Sequence, residues 1–306
     1  MNQPVRRRWQ RVDGVLLLDK PPGMSSNDAL QKARRLFSAE KAGHTGTLDP
    51  MATGLLPLCF GEATKFSADL LGADKTYEAE LRFGMTTRTG DAEGEVLSES
   101  PVTFDEAALR AVLPQFMGKQ LQVPPMYSAL KRDGKPLYEL ARQGIEVERE
   151  AREITIHRLE LLEFSGLKAR LLVRCSKGTY IRTLAEDIGK SLGCGAHLTA
   201  LRRTEVADLV LPRALSLEEI AACDESQRAS LLQPVDSLLQ GLPRVDLDEP
   251  SARRFSCGNP VACDRNGLCR VYAEDSLLGL GLADESGLLH PKRLVKQAGD
   301  DRCQPD

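Results

Sequence analysis

The chain has 306 residues, 42% of them hydrophobic, enough for two buried cores, and its 41 basic and 44 acidic side chains leave a net charge of -3. No apolar run reaches the roughly 18 residues a membrane-crossing helix needs, and the overall charge excludes a uniformly basic nucleic-acid binder. Eight cysteines without a Cys-x-x-Cys pair, and no segment shaped like a secretory leader, lead us to expect free thiols in a cytoplasmic protein.

The arginine-rich Arg6 to Arg11 reads as part of a basic tail over residues 1–12, too short and too polar for a leader. Val15 to Leu18 is a short apolar run closed by Lys20-Pro21-Pro22-Gly23, which predicts a buried strand and a turn. Ser25 and Asp28 have the spacing of a capping box, and the helix they open places Ala29, Leu30, Ala33, Leu36 and Phe37 on one face. Next comes Lys41 to Gly54, KAGHTGTLDPMATG, whose three glycines and Pro50 predict a loop throughout. Within it Asp49 has two readings: an acidic turn former before proline, or a nucleophile or base held beside His44, Thr45 and Thr47.

Tyr77 to Phe83 alternates apolar with charged residues at period two, so it reads as a strand with Tyr77 pointing inward. Thr89 to Gly94 is a turn-rich link, and Phe104 to Phe116 an amphipathic helix. Pro124 to Arg149 is rich in Pro, Gly and charge, the composition of a long surface hairpin and helix. Glu153 to Phe164 and Lys168 to Cys175 read as strands, and Gly178 to Arg182 opens a helix with Ile181, Leu184, Ala185 and Ile188 inward. Arg182 is locally an i,i+4 partner for Glu186. From Lys168 to Arg203 eight basic residues stand against two acidic ones, a segment able to face phosphates or to be neutralised from elsewhere in the fold. Leu215 to Ala222 and Ser230 to Leu239 read as helices. Beyond about residue 245 come short strand signals, Arg270 to Ala273, Leu277 to Leu282 and Leu288 to Val295. Cys257, Cys263 and Cys269 recur every six residues, a spacing that fits no usual zinc site.

GHTGTLDPMATGLLP (Gly43 to Pro57) resembles the catalytic motif of the TruB family of pseudouridine synthases. DKPPGMSSNDAL, GEATKF, DKTYEAELRFG, PPMYSALK, SKGTYIRTL and GCGAHLTALRRT resemble that family's other blocks in the same order, over about residues 13 to 235. The resemblance implies an α+β fold with a mixed, mainly antiparallel central sheet flanked by helices. The C-terminal strands are similar to a small PUA-type RNA-binding β-barrel. The implied domains are a catalytic one over 13–240, carrying an RNA-clasping insertion at about 124–150, and the barrel over 245–306.

The implied activity is isomerisation of uridine 55 in the T loop of tRNA by a monomeric enzyme that needs no cofactor or metal. By the same resemblance Asp49 is the catalytic carboxylate, Arg182 its catalytic partner, and Tyr77 both the ring that stacks on the target base and a catalytic residue, the base that removes the C5 proton at the end. Tyr180 and Leu201 would wall the pocket, His44 would wedge into the RNA, and Lys20 joins them as a substrate-binding residue. Two other classes are compatible with the residues alone. One is a glycosidase with Asp49 and Asp91 as its paired carboxylates; the other is an RNA-binding protein without chemistry.

Overall fold

The computed structural model describes residues 8–296. Arg6 and Arg7 of the basic stretch, and Cys303, lie outside the described residues. The N-terminal segment from Arg8 is packed onto the body: Gln10 N–H donates to Ser38 O, and the Arg34 guanidinium lies 4.6 Å from the centre of the Trp9 ring. The described part of the expected tail is therefore docked on the end of the first helix.

The chain forms β1 (Gly14–Lys20), α1 (Ser26–Leu36), β2 (Ala42–His44), β3 (Thr53–Phe60), β4 (Lys75–Phe83), α2 (Glu106–Val112), β5 (Gly118–Gln122), β6 (Arg152–Phe164), β7 (Lys168–Cys175), α3 (Ile181–Ser191) and β8 (Ala196–Val206). The strands make one mixed sheet in the order β1-β3-β8-β4-β7-β6-β5, with β2 added beside β3 and Leu209–Val210 beside β8. Only β3 and β8 run parallel, Thr53 opposite Arg202 and Gly54 opposite Arg203. A parallel pair needs a long crossover, and here everything from β4 to α3 supplies it.

The alternation in β4 and β7 does what period two requires. Tyr77, Ala79, Leu81 and Phe83 join Ala169, Leu171, Val173 and Cys175 in one core with α1 and α3, while the charged residues face out. On that outer face the basic segment finds part of its countercharge within the fold. Lys168 pairs with Glu80 at 2.9 Å, Arg170 with Glu163 at 3.5 Å, Arg174 with Asp74 at 3.9 Å and Arg202 with Asp19 at 2.6 Å. Except for Glu163, these countercharges lie far away in sequence.

At the far end, β9 (Arg244–Asp246), α4 (Glu249–Ser256), β10 (Val261–Ala262), β11 (Gly267–Ala273), β12 (Ser276–Ala283) and β13 (Leu288–Leu294) form a five-stranded sheet ordered β9-β11-β12-β13-β10. The expected small barrel is thus a curled half-barrel, closed over its own core by Phe255 of α4. It is fastened to the main body by Leu280, which enters a second core with Leu17, Phe66 and Leu238. Tyr272 Oη also donates to Asp236 Oδ2 at 2.6 Å.

Two sequence expectations need correction. Ser230 to Leu239 is not a helix but two short 3-10 turns, Arg228–Leu231 and Val235–Leu238, because Pro234 between them has no amide proton and cannot continue an α-helix. The stretch Lys41 to Gly54 is not a loop throughout. After Lys41 its ends are β2 and the start of β3, and residues 45–52 between them are irregular. Gly54 is usable inside β3 because it has φ +100° and no side chain; a Cβ there would stand 2.3 Å from Arg203 O across the parallel pair. That close approach brings β8 under the loop.

Candidate active site

The loop 45–52 is held by its main chain. Ser26 Oγ accepts from Leu48 N at 2.7 Å and donates to Leu48 O at 3.0 Å. On the other side of Asp49, Pro50 O accepts from Gly23 N at 2.9 Å and from Lys20 Nζ at 3.3 Å. Arg203, 1% exposed, spans the loop from below, donating from Nε to Leu55 O at 2.8 Å and from Nη2 to Gly46 O at 3.1 Å. Leu48 and Ala52 are buried as apolar anchors. Asp49 therefore sits between two fixed main-chain positions, and its carboxylate is 36% exposed.

Arg182 lies in the first turn of α3, where Ile181, Leu184, Ala185 and Ile188 pack into the core and fix the helix's rotation. Its side chain is 5% exposed, and all three guanidinium nitrogens are used. Nε donates to Asp49 Oδ2 at 2.9 Å, Nη1 to Thr89 O at 2.8 Å and Nη2 to Tyr127 O at 2.6 Å. Asp91 Oδ2 lies 3.7 Å from the same Nε. Of the two sequence readings of Arg182, the geometry selects the distant carboxylate over Glu186. It also brings Asp49 and Asp91 to one cation. Asp91 is further tied by Thr89 Oγ1 at 2.5 Å and Glu93 N–H at 3.1 Å, which shape the turn 89–94 around the arginine.

The other expected residues gather unequally. Tyr77 is buried, opposite Arg203 in the strand register. Burial pushes its hydroxyl pKa up, and the Arg203 charge pulls it partly back. Tyr180 caps α3 with a half-buried ring whose hydroxyl is likewise pushed up by burial. The Asp49 charge acts on Tyr77, Tyr180 and Lys20, which groups them around one carboxylate. Leu201 is buried in the same core as Tyr77. His44 ends β2 with a buried Nδ1 that has no partner among the described residues, and burial followed by the Arg203 charge lowers its pKa.

Lys20 is fully buried, with Nζ donating to Met24 O at 2.7 Å and Pro21 O at 2.9 Å as well as to Pro50 O. Its ammonium is spent on the turn and the loop, so its place is beneath the site. Burial lowers its pKa from 10.5 to about 8. Between those two values the unfolded chain binds a proton that the folded chain lacks, so this group's contribution to stability rises with pH there. A carbon-13 titration of the Lys20 ε-methylene should show a midpoint near 8; a midpoint of 10 or above would mean an ammonium in water.

Sequence reasoning missed Ser26, Gln122 and Arg203 as supports, and the carbonyls of Thr89 and Tyr127. Main-chain acceptors carry no residue signature. Cavities of about 340 and 450 Å³ lie against the half-barrel and beside Leu113 and Met117; neither is lined by Asp49 or Arg182. With 36% of its side chain exposed, Asp49 is reachable from solvent. Among the described residues no group of three or more His, Cys, Asp or Glu is placed to hold a metal ion, and no helix is long and apolar enough to cross a membrane.

The profile described as "TruB family pseudouridylate synthase (N terminal domain)" matches residues 34–181, and two C-terminal profiles of that family match 182–240 and 243–295. In fold, the chain is similar to the solved archaeal box H/ACA sRNP Nop10-Cbf5 complex, with TM-score 0.70 at 24% identity over 95% of this chain and 88% of that one. The three family matches, which together span 34–295, define the class as pseudouridylate synthases. Among curated relatives, "tRNA pseudouridine synthase B" of Dechloromonas aromatica is 62% identical over 96% of this chain and 99% of its own. The protein of the same name from Burkholderia mallei is 59% identical over 95% and 96%. The chain belongs to the TruB family.

Proposed function

We propose that this chain converts uridine 55 in the T loop of tRNA to pseudouridine, a cytoplasmic reaction in which Asp49 acts on a nucleotide turned out of the loop. The observation that carries the reading is the pairing of a one-third exposed Asp49 with an almost wholly buried Arg182. The relatives named for tRNA pseudouridine synthesis supply the substrate class.

The reaction breaks the bond from ribose C1′ to uracil N1, turns the base and joins C1′ to C5; the proton released from C5 is balanced by one taken up at N1, and nothing is oxidised. It requires a carboxylate that stays ionised in a closed complex, and a guanidinium that keeps its charge answers that need. Taking the uridine out of its stack costs a few kcal/mol. The Tyr77 ring offers a stacking face, typically worth about 1–3 kcal/mol per base. Tyr180 and Leu201 wall the base, His44 at the end of β2 enters the space it leaves, and Lys20 keeps the Asp49 loop and its positive field in place. The catalytic unit covers 13–240, residues 124–150 clasp the RNA, and the half-barrel from 245 adds a PUA-like RNA contact.

The test is a T-arm RNA carrying tritium at C5 of the target uridine. Release of label without free uracil supports the reading. Free uracil would instead make Asp49 and Asp91 a glycosidase pair, and binding without release would leave an RNA-binding protein. Tyr77→Phe keeps the ring, so RNA binding should persist while turnover falls by about 100-fold or more through loss of the hydroxyl. Unchanged turnover would limit Tyr77 to stacking.

A further inference from the structure

Gln122 ends β5, two residues before Pro124 opens the insertion, and it is 5% exposed. Its side-chain amide makes both bonds of a one-residue strand pairing with Tyr180: Tyr180 N donates to Gln122 Oε1 at 2.8 Å, and Gln122 Nε2 donates to Tyr180 O at 3.1 Å. Tyr180 caps α3 without a side-chain cap of its own; its carbonyl also accepts from Leu184 N at 3.1 Å, and its N–H is held by Gln122. Arg182 follows two residues later and returns to the same insertion through its bond to Tyr127 O. A ring is thereby closed, from Gln122 through Tyr180 and Arg182 to Tyr127 and back along the chain. The side chain that leaves this ring toward the reacting centre is Arg182, at Asp49.

We propose that Gln122 is a positioning residue for the reaction, fixing the base of the RNA-clasping insertion against the first turn of α3 so that the guanidinium holds Asp49 in register with the bound nucleotide. The inference rests on the function proposed above. Gln122 touches no substrate. It acts because the first turn of α3, already packed by Ile181 and Leu184 and bonded through Arg182 to Thr89 O, is tied by Tyr180 to the base of the same insertion whose Tyr127 O holds the guanidinium, so that the two move as one when RNA loads the insertion. A displacement of about 1 Å at a reacting group can cost about 100-fold in rate. No other side chain is bonded to both main-chain groups of Tyr180 among the described residues.

The test uses the full chain with Gln122→Met, which keeps the volume and removes both bonds, and Gln122→Glu, which keeps the acceptor and sets a second oxygen against Tyr180 O. Single-turnover rates on saturating T-arm RNA are measured below the melting point of each variant, together with RNA Kd and hydrogen exchange at the Tyr180 amide. We expect kcat to fall about 10- to 100-fold in both variants, with Kd changed less than about threefold. Exchange at Tyr180 N–H should accelerate in Gln122→Met and less in Gln122→Glu. Wild-type kcat in Gln122→Met, or a loss confined to Kd, overturns the proposal by reducing Gln122 to filler or to an RNA contact. Should one variant be unfolded at the assay temperature, the turnover of the other answers the same question, and unaltered Tyr180 exchange in Gln122→Met overturns the proposal without an activity measurement. An inactive wild type would instead count against the proposed function.

Discussion

Asp49→Asn should abolish label release from T-arm RNA, by about 10,000-fold or more, while leaving the protein folded and still able to bind RNA. The first half follows from chemistry. An amide cannot attack the sugar, add to the ring or take a ribose proton, and removal of a nucleophile typically costs a factor of this size. The second half follows from the site. The amide of the variant keeps an oxygen for Arg182 Nε, and the guanidinium retains Thr89 O and Tyr127 O, with Asp91 3.7 Å away as countercharge. Asp49 is one-third exposed, so its replacement strands no buried charge. A stability loss of about 1 kcal/mol is expected, as for one charge-assisted hydrogen bond weakened at a partly solvated position. Denaturant melts and RNA Kd check that half; turnover near wild type would remove Asp49 from the chemistry altogether.

The parts of the fold read correctly are those in which local preference and tertiary packing agree. The capping box of Ser25 and Asp28 is present as spelled, with Asp28 N donating to Ser25 Oγ at 3.1 Å. The alternation through Tyr77 to Phe83 survives because one face of β4 is buried and the other solvated. Helix α2 is shorter than the expected Phe104 to Phe116, since Pro114 turns its end into a 3-10 turn, though Phe104 still packs edge-on to Phe83 at 4.9 Å. The short strand β2 was illegible. Three residues beginning Ala-Gly have no strand preference of their own, and β2 exists because β3 offers it an edge.

The site was legible at Asp49 and Arg182 through motif order, and illegible in what fixes them. Arg182 lies 133 residues from Asp49, and the spacing to Glu186 offered a plausible local partner. The choice between them needed the rotation of α3, which Ile181 and Ile188 decide by packing. Lys20 reads as a turn residue and, by resemblance, a substrate-binding one, and only the surrounding carbonyls reveal a buried ammonium. Ser26 and Gln122 are hydrogen-bonded to main chain 22 and 58 residues away, and no pattern in a single sequence records such a pairing. The partners of the basic stretch were hidden for the matching reason, as Asp19, Asp74 and Glu80 lie far upstream.

Arg182→Met should lose both stability and rate, the stability by about 3–5 kcal/mol, the usual cost of removing one partner from a buried ion pair. The loss falls mainly on Asp91 and the two carbonyls. Asp49, being one-third exposed, can recover water, but Asp91 is 4% exposed and would keep only Thr89 Oγ1 and Glu93 N–H as donors. Thr89 O and Tyr127 O lose their charged donor within the same volume, which a methionine side chain fills without satisfying. The rate should fall by about 1,000-fold or more, because Asp49 loses both its countercharge and its orientation. Arg182→Lys separates the two losses. An ammonium restores the charge and part of the stability, but one nitrogen cannot stand within bonding distance of Asp49, Thr89 O and Tyr127 O together, so the rate should stay low. Denaturant melts and tritium release on the same preparations give both numbers, and a lysine variant with wild-type turnover would show that charge alone, without the three-way geometry, is what Asp49 requires.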